Sequence, residues 1–465
     1  MSLSADGVAV LPSRAPRTSD LFAPRYRALT IGLVATITLV AFEALATATI
    51  LPLVAGDLGG VELYGWTFSA FFLGNLIGIV ITGGLLDRGS VVRPFAAGLA
   101  LFAIGLALGG LAPSMPVLVA ARFLQGLGGG AVSPTAYVAI GRSLPESLRP
   151  RMFAMLSTAW VVPGLIGPAI AGIVADAVHW RAVFLGLLPL LIASGGLAIV
   201  ALRNVPAATP AEHDVGASAT RRLPAALLVA SGAGILVAAL TSPEPVLLIG
   251  GAAVGLAMLL PAFRALTPAG TLRVAAGLPA AVFLRGLLTF AFFGVDAYVP
   301  LMLHDWRGTT VAFAGIALTA ATLSWTTGSW IQARRQERWG ARRLVTLGFV
   351  TVTVGMAATG IVLAPSVAPG VAILTWGIVG LGMGLAYSTF AIVVLRDAPA
   401  AEQGAASSAL QLSDVLGTAL GTGVAGAFIA AAHRAGDLGP GLVAVVALGV
   451  GAGLVGAVLA RRIHA

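Results

Sequence analysis

Long apolar runs separated by short polar segments follow one another along most of the chain. Runs of about 18 or more residues with almost no charge recur, and each is long enough to cross a hydrocarbon core of roughly 30 Å. Because lipid offers backbone groups no hydrogen-bond partner, such runs are predicted to be helices. The pattern therefore predicts an all-α polytopic membrane protein.

The predicted helices fall into three groups. Six lie at about 29–54, 64–86, 94–112, 116–141, 151–176 and 180–203, two shorter ones at 224–241 and 245–263, and six more at 279–304, 312–333, 341–364, 368–394, 404–432 and 438–460. This predicts 14 spans: two six-helix bundles with two additional central transmembrane helices. The predicted domains are an N-terminal tail (1–28), an N-terminal bundle (29–203), a linker with the two extra helices (204–278), and a C-terminal bundle with a short tail (279–465).

The arginines predict the orientation of these helices. With the N-terminus inside, most of the 27 basic residues fall in cytoplasmic segments, and the outer loops hold only Arg181, Arg307 and Arg434. Positive charge is retained on the cytoplasmic side of membrane proteins. We therefore expect a multi-pass protein of the cell (inner) membrane with both termini cytoplasmic. If only one of the two central runs crossed the membrane, the orientation of the second half would be inverted. Either both runs cross or neither does, and their length and lack of charge favour both.

Composition narrows the possible functions. Hydrophobic residues make up 58% of the chain and charged residues 10%, with 60 glycines and no cysteine. Glycine suits helices that pack closely in lipid. The net charge of +9 does not predict nucleic-acid binding, because the arginines are spread over short loops rather than clustered on one face.

Several energy sources and reaction classes are disfavoured. A P-loop needs a lysine, and this chain has none. The five histidines have no paired spacing, so a membrane-embedded enzyme is also disfavoured. We expect no cofactor, with the proton gradient as the energy source, and a monomer whose partners are protons, a small-molecule substrate and the lipid bilayer.

An internal repeat supports two related halves. Pro52-Leu53 with Asp57 and Gly60 at the end of the first helix matches Pro300-Leu301 with Asp305 and Gly308 in the second half. Parallel repeats of this kind place the substrate site between the halves near the membrane midplane.

Four motifs carry a resemblance to a known family. They are Gly83-Gly84-Leu85-Leu86-Asp87-Arg88-Gly89 followed by Arg93, Arg122-Phe123-Leu124-Gln125-Gly126, Gly164-Leu165-Ile166-Gly167-Pro168-Ala169-Ile170-Ala171-Gly172, and Glu43 through Leu51-Pro52. Together they resemble the major facilitator superfamily, specifically its fourteen-helix drug:proton antiporter branch. The first motif departs from the family pattern at Ser90-Val91-Val92, and Glu43 stands where the branch usually has Asp.

The resemblance implies roles for these residues. The loop with Asp87, Arg88 and Arg93 would latch the two halves in one access state. Arg122, Gln125 and Gly126 form the motif of the fourth helix. The Gly164, Gly167, Pro168 and Gly172 pattern in the fifth helix is associated with antiporters.

Charged residues inside the predicted spans are the candidates for proton coupling. A lone charge in lipid is costly, and burial disfavours the charged form of a carboxyl, so a buried acid can take up and release a proton. Glu43, Asp296 and Asp414 are predicted as proton or cation sites, and Arg122 as a counter-ion that senses protonation. The structural alternatives are buried pairs, interfacial acids and a snorkelling Arg122. For Arg285, which lacks a motif, snorkelling to the interface is predicted.

Aromatic residues in the spans are candidates for the substrate cavity, since ring faces attract lipophilic cations. They are Trp160, Tyr298, Trp325, Trp376 and Tyr387, with lipid-facing packing as the alternative. We therefore predict proton-coupled efflux of small lipophilic or cationic compounds such as drugs. Export of a lipid or metabolite, or proton symport, are alternatives on the same fold.

Overall fold

The structure is a computed structural model that describes residues 18–86, 89–206, 210–399 and 402–464. Asp87 and Arg88 of the predicted latch lie outside the described residues. The side chains of 157 and 210–221 are likewise not described.

The described part of the chain is helical and contains no β-strand. The first half comprises α1 (Pro24–Leu58), α2 (Tyr64–Leu86), α3 (Val92–Gly110), α4 (Met115–Ser143), α5 (Arg149–Ala177) and α6 (Trp180–Leu202); a central hairpin comprises α7 (Pro210–Thr241) and α8 (Pro245–Leu266). The second half comprises α9 (Leu278–Asp296), the short α10 (Val299–Leu301) with a π-helical turn (Met302–Trp306), α11 (Val311–Gly360), α12 (Val371–Asp397), α13 (Gln403–Arg434) and α14 (Leu438–Leu459). Within the described ranges, 13 helices are long and apolar enough to cross a membrane.

The longest helix, α11, reverses direction at Gly340. This residue has φ 72° and ψ 160°, a conformation open to glycine but strained for other residues. Gly328 and Gly348 both pack against the same stretch of α12, Leu381 to Ala386. On a straight helix they would be ~30 Å apart, so segments 311–339 and 341–360 must run antiparallel.

Helix α7 begins earlier than predicted. The sequence predicted the first central helix only from residue 224, but α7 starts at Pro210. Alanine and arginine are good helix formers, and residues 210–222 contain three alanines and two arginines. Low hydropathy therefore argued against a membrane span there, but not against a helix.

The two halves pack by the same device, with glycines where helices touch. A Cβ on Gly126 of α4 would overlap the Phe71 carbonyl of α2, and one on Gly384 of α12 would overlap the Trp325 carbonyl of α11. When the two segments of α11 are counted separately, the second and fourth long helices meet backbone to backbone in both halves. This agrees with the internal repeat seen in the sequence.

We expect Gly126→Ala to destabilise the fold, whereas Gly141→Ala in the same helix should be neutral. The Cβ at position 126 would force α2 and α4 apart, while a Cβ at position 141 meets nothing within 4 Å. Overpacking of this kind costs about 1–3 kcal/mol. Thermal unfolding of both purified variants measures the difference, and equal melting temperatures would contradict the tight contact.

The central hairpin covers the seam between α2 and α13. Val229 and Ala233 of α7 share a buried cluster with Leu73 of α2 and Leu416 of α13. At the end of α7, Thr241 accepts a hydrogen bond from Trp66 Nε1 through its hydroxyl at 3.4 Å and one from Arg434 Nη1 through its carbonyl at 3.1 Å. The hairpin therefore contacts both halves at once.

The halves meet at the end of the bundle where α1 ends and α2 begins, which we call the closed end. Ser69 Oγ donates to the Ala419 carbonyl at 2.8 Å and lies 3.1 Å from Thr422 Oγ1. On the other side of the bundle, Gly172 of α5 packs against Ala312 of α11. Contacts between small residues thus seal the closed end.

Candidate proton and substrate sites

A buried ionic cluster lies between α1 and α4. Glu43 is in the middle of α1, and Arg122 and Gln125 are one turn apart on α4, so both face it. Glu43 Oε1 accepts hydrogen bonds from Arg122 Nη1, from Thr47 Oγ1 at 2.8 Å and from Gln125 Nε2 at 3.3 Å. Glu43 and Arg122 are only 1% and 2% exposed.

The second carboxylate oxygen of Glu43 differs from the first. Oε2 is buried and has no hydrogen-bond partner among the described residues. Arg122, by contrast, has several acceptors: it also donates to Gln125 Oε1 at 2.9 Å and to the Thr67 carbonyl at 3.2 Å. Buried polar atoms without partners are rare in proteins and point to strain or function.

A second ionic cluster lies in the other half, and it overturns the prediction for Arg285. This arginine does not extend to the interface; it is 7% exposed and pairs with Asp414 of α13. Arg285 Nε lies 2.9 Å from Asp414 Oδ1, and Nη2 lies 3.3 Å from Oδ2. Tyr387 of α12 completes the cluster: its carbonyl accepts from Arg285 Nη1, and its hydroxyl donates to Asp414 Oδ2 at 3.1 Å.

The sequence did contain a signal for the role of Arg285. Residues 285, 292 and 296 are spaced by seven and four positions, so they lie on one face of α9. Phe292 and Asp296 belong to the site described next. Snorkelling was predicted because Arg285 lies at shallow depth and lacks a motif, whereas its side chain points to Asp414 of α13.

Asp296 lies near the end of α9 beside an aromatic cluster. Its Oδ1 accepts a hydrogen bond from Trp376 Nε1 at 2.9 Å, and among the described residues it forms no ion pair. Phe292, one turn earlier, stacks on Trp376 with ring centroids 5.7 Å apart and meets Trp325 edge-on at 5.4 Å.

The aromatic cluster links Asp296 to the Arg285 pair. Trp325 meets Tyr387 edge-on at 5.1 Å, and Tyr387 bonds Asp414. Three of the five predicted cavity residues, Trp325, Trp376 and Tyr387, therefore lie in one wall of the second half, joined by Phe292. Trp376 is fully buried, whereas Trp325 and Tyr387 are partly exposed.

The other two predicted cavity residues lie elsewhere. Tyr298 is buried at the closed end, where its hydroxyl donates to the Thr422 carbonyl at 2.8 Å and its ring lies 5.3 Å from that of Tyr64. In this conformation Tyr298 is part of the contact between the halves. Trp160, in contrast, is 48% exposed on α5.

The remaining motif residues occupy helix contacts and a loop. Gly164 packs against Thr322 of α11, Gly167 against Phe42 of α1, and the Pro168 carbonyl lies against Gly315. The antiporter-type pattern thus forms part of the contact between the halves. Arg93 is exposed in the first turn of α3. Arg142 of α4 donates to the carbonyls of Gly89 and Leu86, next to the loop after α2, at 3.2 and 3.0 Å.

Comparison with known families identifies the class of the protein. Residues 31–422 match the model of the family described as Major Facilitator Superfamily, a match over most of the chain. The chain belongs to the major facilitator superfamily. It is therefore a multi-pass membrane transporter of small molecules rather than an enzyme, as the sequence predicted.

Relatives within the family are named as multidrug transporters. A probable multidrug-efflux transporter of Mycobacterium tuberculosis is 29% identical over 422 residues, which cover 87% of this chain and 88% of the relative. A multidrug transporter protein of Bacillus subtilis is 26% identical over 423 residues, covering 88% of this chain and 76% of the relative.

Solved structures of the family share the fold. A peptide transporter has a TM-score of 0.66 at 17% identity, over 93% of this chain and 94% of that structure. A D-xylose-proton symporter has a TM-score of 0.60 at 15% identity, over 92% and 96% of the two chains. At such low identity, these likenesses establish the architecture alone.

Proposed function

We propose that this protein is a fourteen-span, proton-coupled transporter that exports small lipophilic or cationic compounds from the cell. The drug-exporting relatives support efflux. The reversal of α11 at Gly340 supports fourteen spans, because it divides one 50-residue helix into two segments that are each long enough to cross. Both termini would then lie on the same, cytoplasmic side.

The observation that supports proton coupling is that the two carboxylate oxygens of Glu43 have different surroundings. One oxygen holds Arg122, while the other is buried without a partner in the described part of the chain. A proton on Oε2 would neutralise the carboxylate and weaken its attraction for Arg122. Because the cluster joins α1 to α4, protonation would loosen a contact inside the first half, and this would start the conformational change.

The two acids of the second half would then have different roles. Asp296 has no cationic partner among the described residues and lies beside aromatic rings, a combination that suits a lipophilic cation or a second proton. Asp414, predicted as a third proton site, is better supported as the fixed counter-ion of Arg285. The guanidinium of Arg285 binds both carboxylate oxygens of Asp414 in a bidentate pair.

The conformation supports an exporter that is open to the cytoplasm. The halves touch at the closed end, which the arginine distribution places outside. The exposed rings of Trp160, Tyr137 and Phe153 lie toward the other end, where α1 begins and α4 ends. A substrate could then enter from the cytoplasm and meet both acidic sites.

The function is tested by transport in everted membrane vesicles with an imposed pH gradient. We expect a lipophilic cationic dye to accumulate in vesicles that contain the protein when the interior is acidic, and to be released when a protonophore is added. Accumulation that ignores the gradient would contradict proton coupling. Accumulation only with the opposite gradient would indicate symport.

We expect Asp296→Asn to reduce transport of cationic dyes about tenfold, and to affect uncharged aromatic compounds far less. The amide keeps the acceptor for Trp376 Nε1 but removes the charge that attracts a cation, whose unscreened attraction is worth more than 1 kcal/mol in a membrane cavity. Initial transport rates for a cationic and a neutral dye measure the ratio. An equal loss for both dyes would assign Asp296 to protons rather than to substrate.

A further inference from the structure

A small cavity lies within the first half, and no acidic residue lines it. Its volume is about 150 Å³, and its lining residues are Ile37, Ser133, Tyr137, Phe153, Leu156 and Trp160. They belong to α1, α4 and α5. None of them is charged.

The position of Trp160 shows that this cavity opens into the space between the halves. Gly164 and Gly172 of α5 pack against α11 of the other half. Trp160 lies four residues before Gly164, and Phe153 seven before Trp160, so both continue the same face of α5. On this face, toward the start of α5, Trp160 and Phe153 are 48% and 39% exposed.

The cavity also lies on the path to Glu43. Ile37 precedes Glu43 by six residues, or ~9 Å along α1. On α4, Ser133 lies eleven residues after Arg122, close to three turns, so both point from the same face. A molecule that enters from the open end would pass this cavity before it reached the Arg122–Glu43 cluster.

The lining favours a flat aromatic molecule. Tyr137 and Phe153 already form an edge-to-face pair with centroids 5.5 Å apart, and Trp160 supplies a third ring. Offset and edge-to-face contacts contribute beyond simple burial of apolar area. The hydroxyls of Ser133 and Tyr137 and the indole Nε1 of Trp160 are the polar side-chain atoms of the lining, and no acid lines it to select for positive charge.

We propose that this cavity is a binding station for planar aromatic compounds, charged or uncharged, where substrates are held before they reach the acidic sites. Its place in transport rests on the proposed efflux function, but its binding does not. The station would explain how one transporter accepts compounds that differ in charge: rings are recognised first, and charge is recognised later, at Asp296.

Equilibrium binding of a neutral phenylnaphthylamine dye to the purified full-length protein in nanodiscs tests the station. The fluorescence of such a dye rises in an apolar pocket, and the measurement needs no gradient. We expect Trp160→Ala and Tyr137→Ala each to weaken binding about three- to tenfold, in line with the loss of one aromatic contact. Tyr137→Phe, which keeps the ring, should bind nearly as the parent does.

Two further variants control for folding and for the lipid surface. Trp330→Ala removes an aromatic residue that is 65% exposed on α11 and does not line the cavity, so binding should be unchanged. Ser133→Leu adds volume inside the cavity and should weaken binding without removing a ring. If the alanine variants lose their fold, as judged by thermal unfolding, the Ser133→Leu result alone decides.

The outcomes separate the station from the transport function. Unchanged affinity in Trp160→Ala, Tyr137→Ala and Ser133→Leu would overturn the station, and so would an equal loss in Trp330→Ala. If dye binding depends on the cavity but no proton-driven transport is found in vesicles, the station stands and the proposed function falls. If proton-driven transport is found but dye binding is unchanged in the cavity variants, the proposed function stands and the station falls.

Discussion

Glu43→Gln is expected to reduce proton-driven dye accumulation to the level of vesicles without the protein. Glutamine has nearly the same shape and can still accept hydrogen bonds from Arg122 and Thr47. It has no group that takes up a proton, so the imposed gradient would no longer drive the cycle. Accumulation of a cationic dye in everted vesicles, with and without a protonophore, is the measurement.

Two comparisons distinguish lost coupling from lost structure. Glu43→Asp keeps the carboxylate, and the branch that this chain resembles usually has Asp at this place, so partial coupling should remain. Glu62→Gln removes an acid whose side chain is 38% exposed at the closed end, and coupling should be unaffected. If Glu43→Gln still concentrated dye in response to the gradient, Glu43 would not be the coupling site.

The helices were predictable because membrane thickness restricts their length. The fourth helix was predicted at 116–141 and is found at Met115–Ser143, and the run predicted at 368–394 is found at Val371–Asp397. The predicted start of α7 was wrong, because a polar stretch can still be helical: the helix begins at Pro210 rather than at residue 224. Two separate helices were predicted at 312–333 and 341–364, and the structure has the non-helical Gly340 between these two runs.

The partners of the charged residues were much harder to predict. Glu43 and Arg122 are 79 positions apart, and Arg285 and Asp414 are 129 apart. Arg122 was recognised through its motif, which supplied the long-range information that hydropathy lacks. Arg285 had no motif, and its depth in the span did not reveal which way its side chain points.

The aromatic residues show the same limit. Trp160 and Trp376 both lie inside apolar runs, yet one is 48% exposed and the other is fully buried. A sequence run specifies that a tryptophan is in a helix, but its surroundings depend on which helices pack beside it. Tyr137 and Phe153 were overlooked for this reason, since their cavity forms only where α4 and α5 meet α1.

The pair between Arg285 and Asp414 should dominate the stability of the second half. Asp414→Asn would leave the guanidinium of Arg285, 7% exposed, without a counter-ion, and breaking a buried pair from one side costs about 3–5 kcal/mol. Arg285→Gln should cost less, because the side chain of Asp414 is 20% exposed and retains Tyr387 as a donor. The double variant Arg285→Gln/Asp414→Asn should recover most of the lost stability, since no charge is then left unpaired.

Thermal unfolding of the two single variants and the double variant measures this coupling, with Asp176→Asn, an exposed acid of α5, as the control. Additive losses in the double variant would mean that the two side chains do not stabilise each other. The same double variant also decides the role of Asp414 in transport. A fixed counter-ion can be removed together with its partner, so coupled efflux should survive in the double variant, whereas a stable double variant without coupling would make Asp414 a proton carrier, as the sequence first suggested.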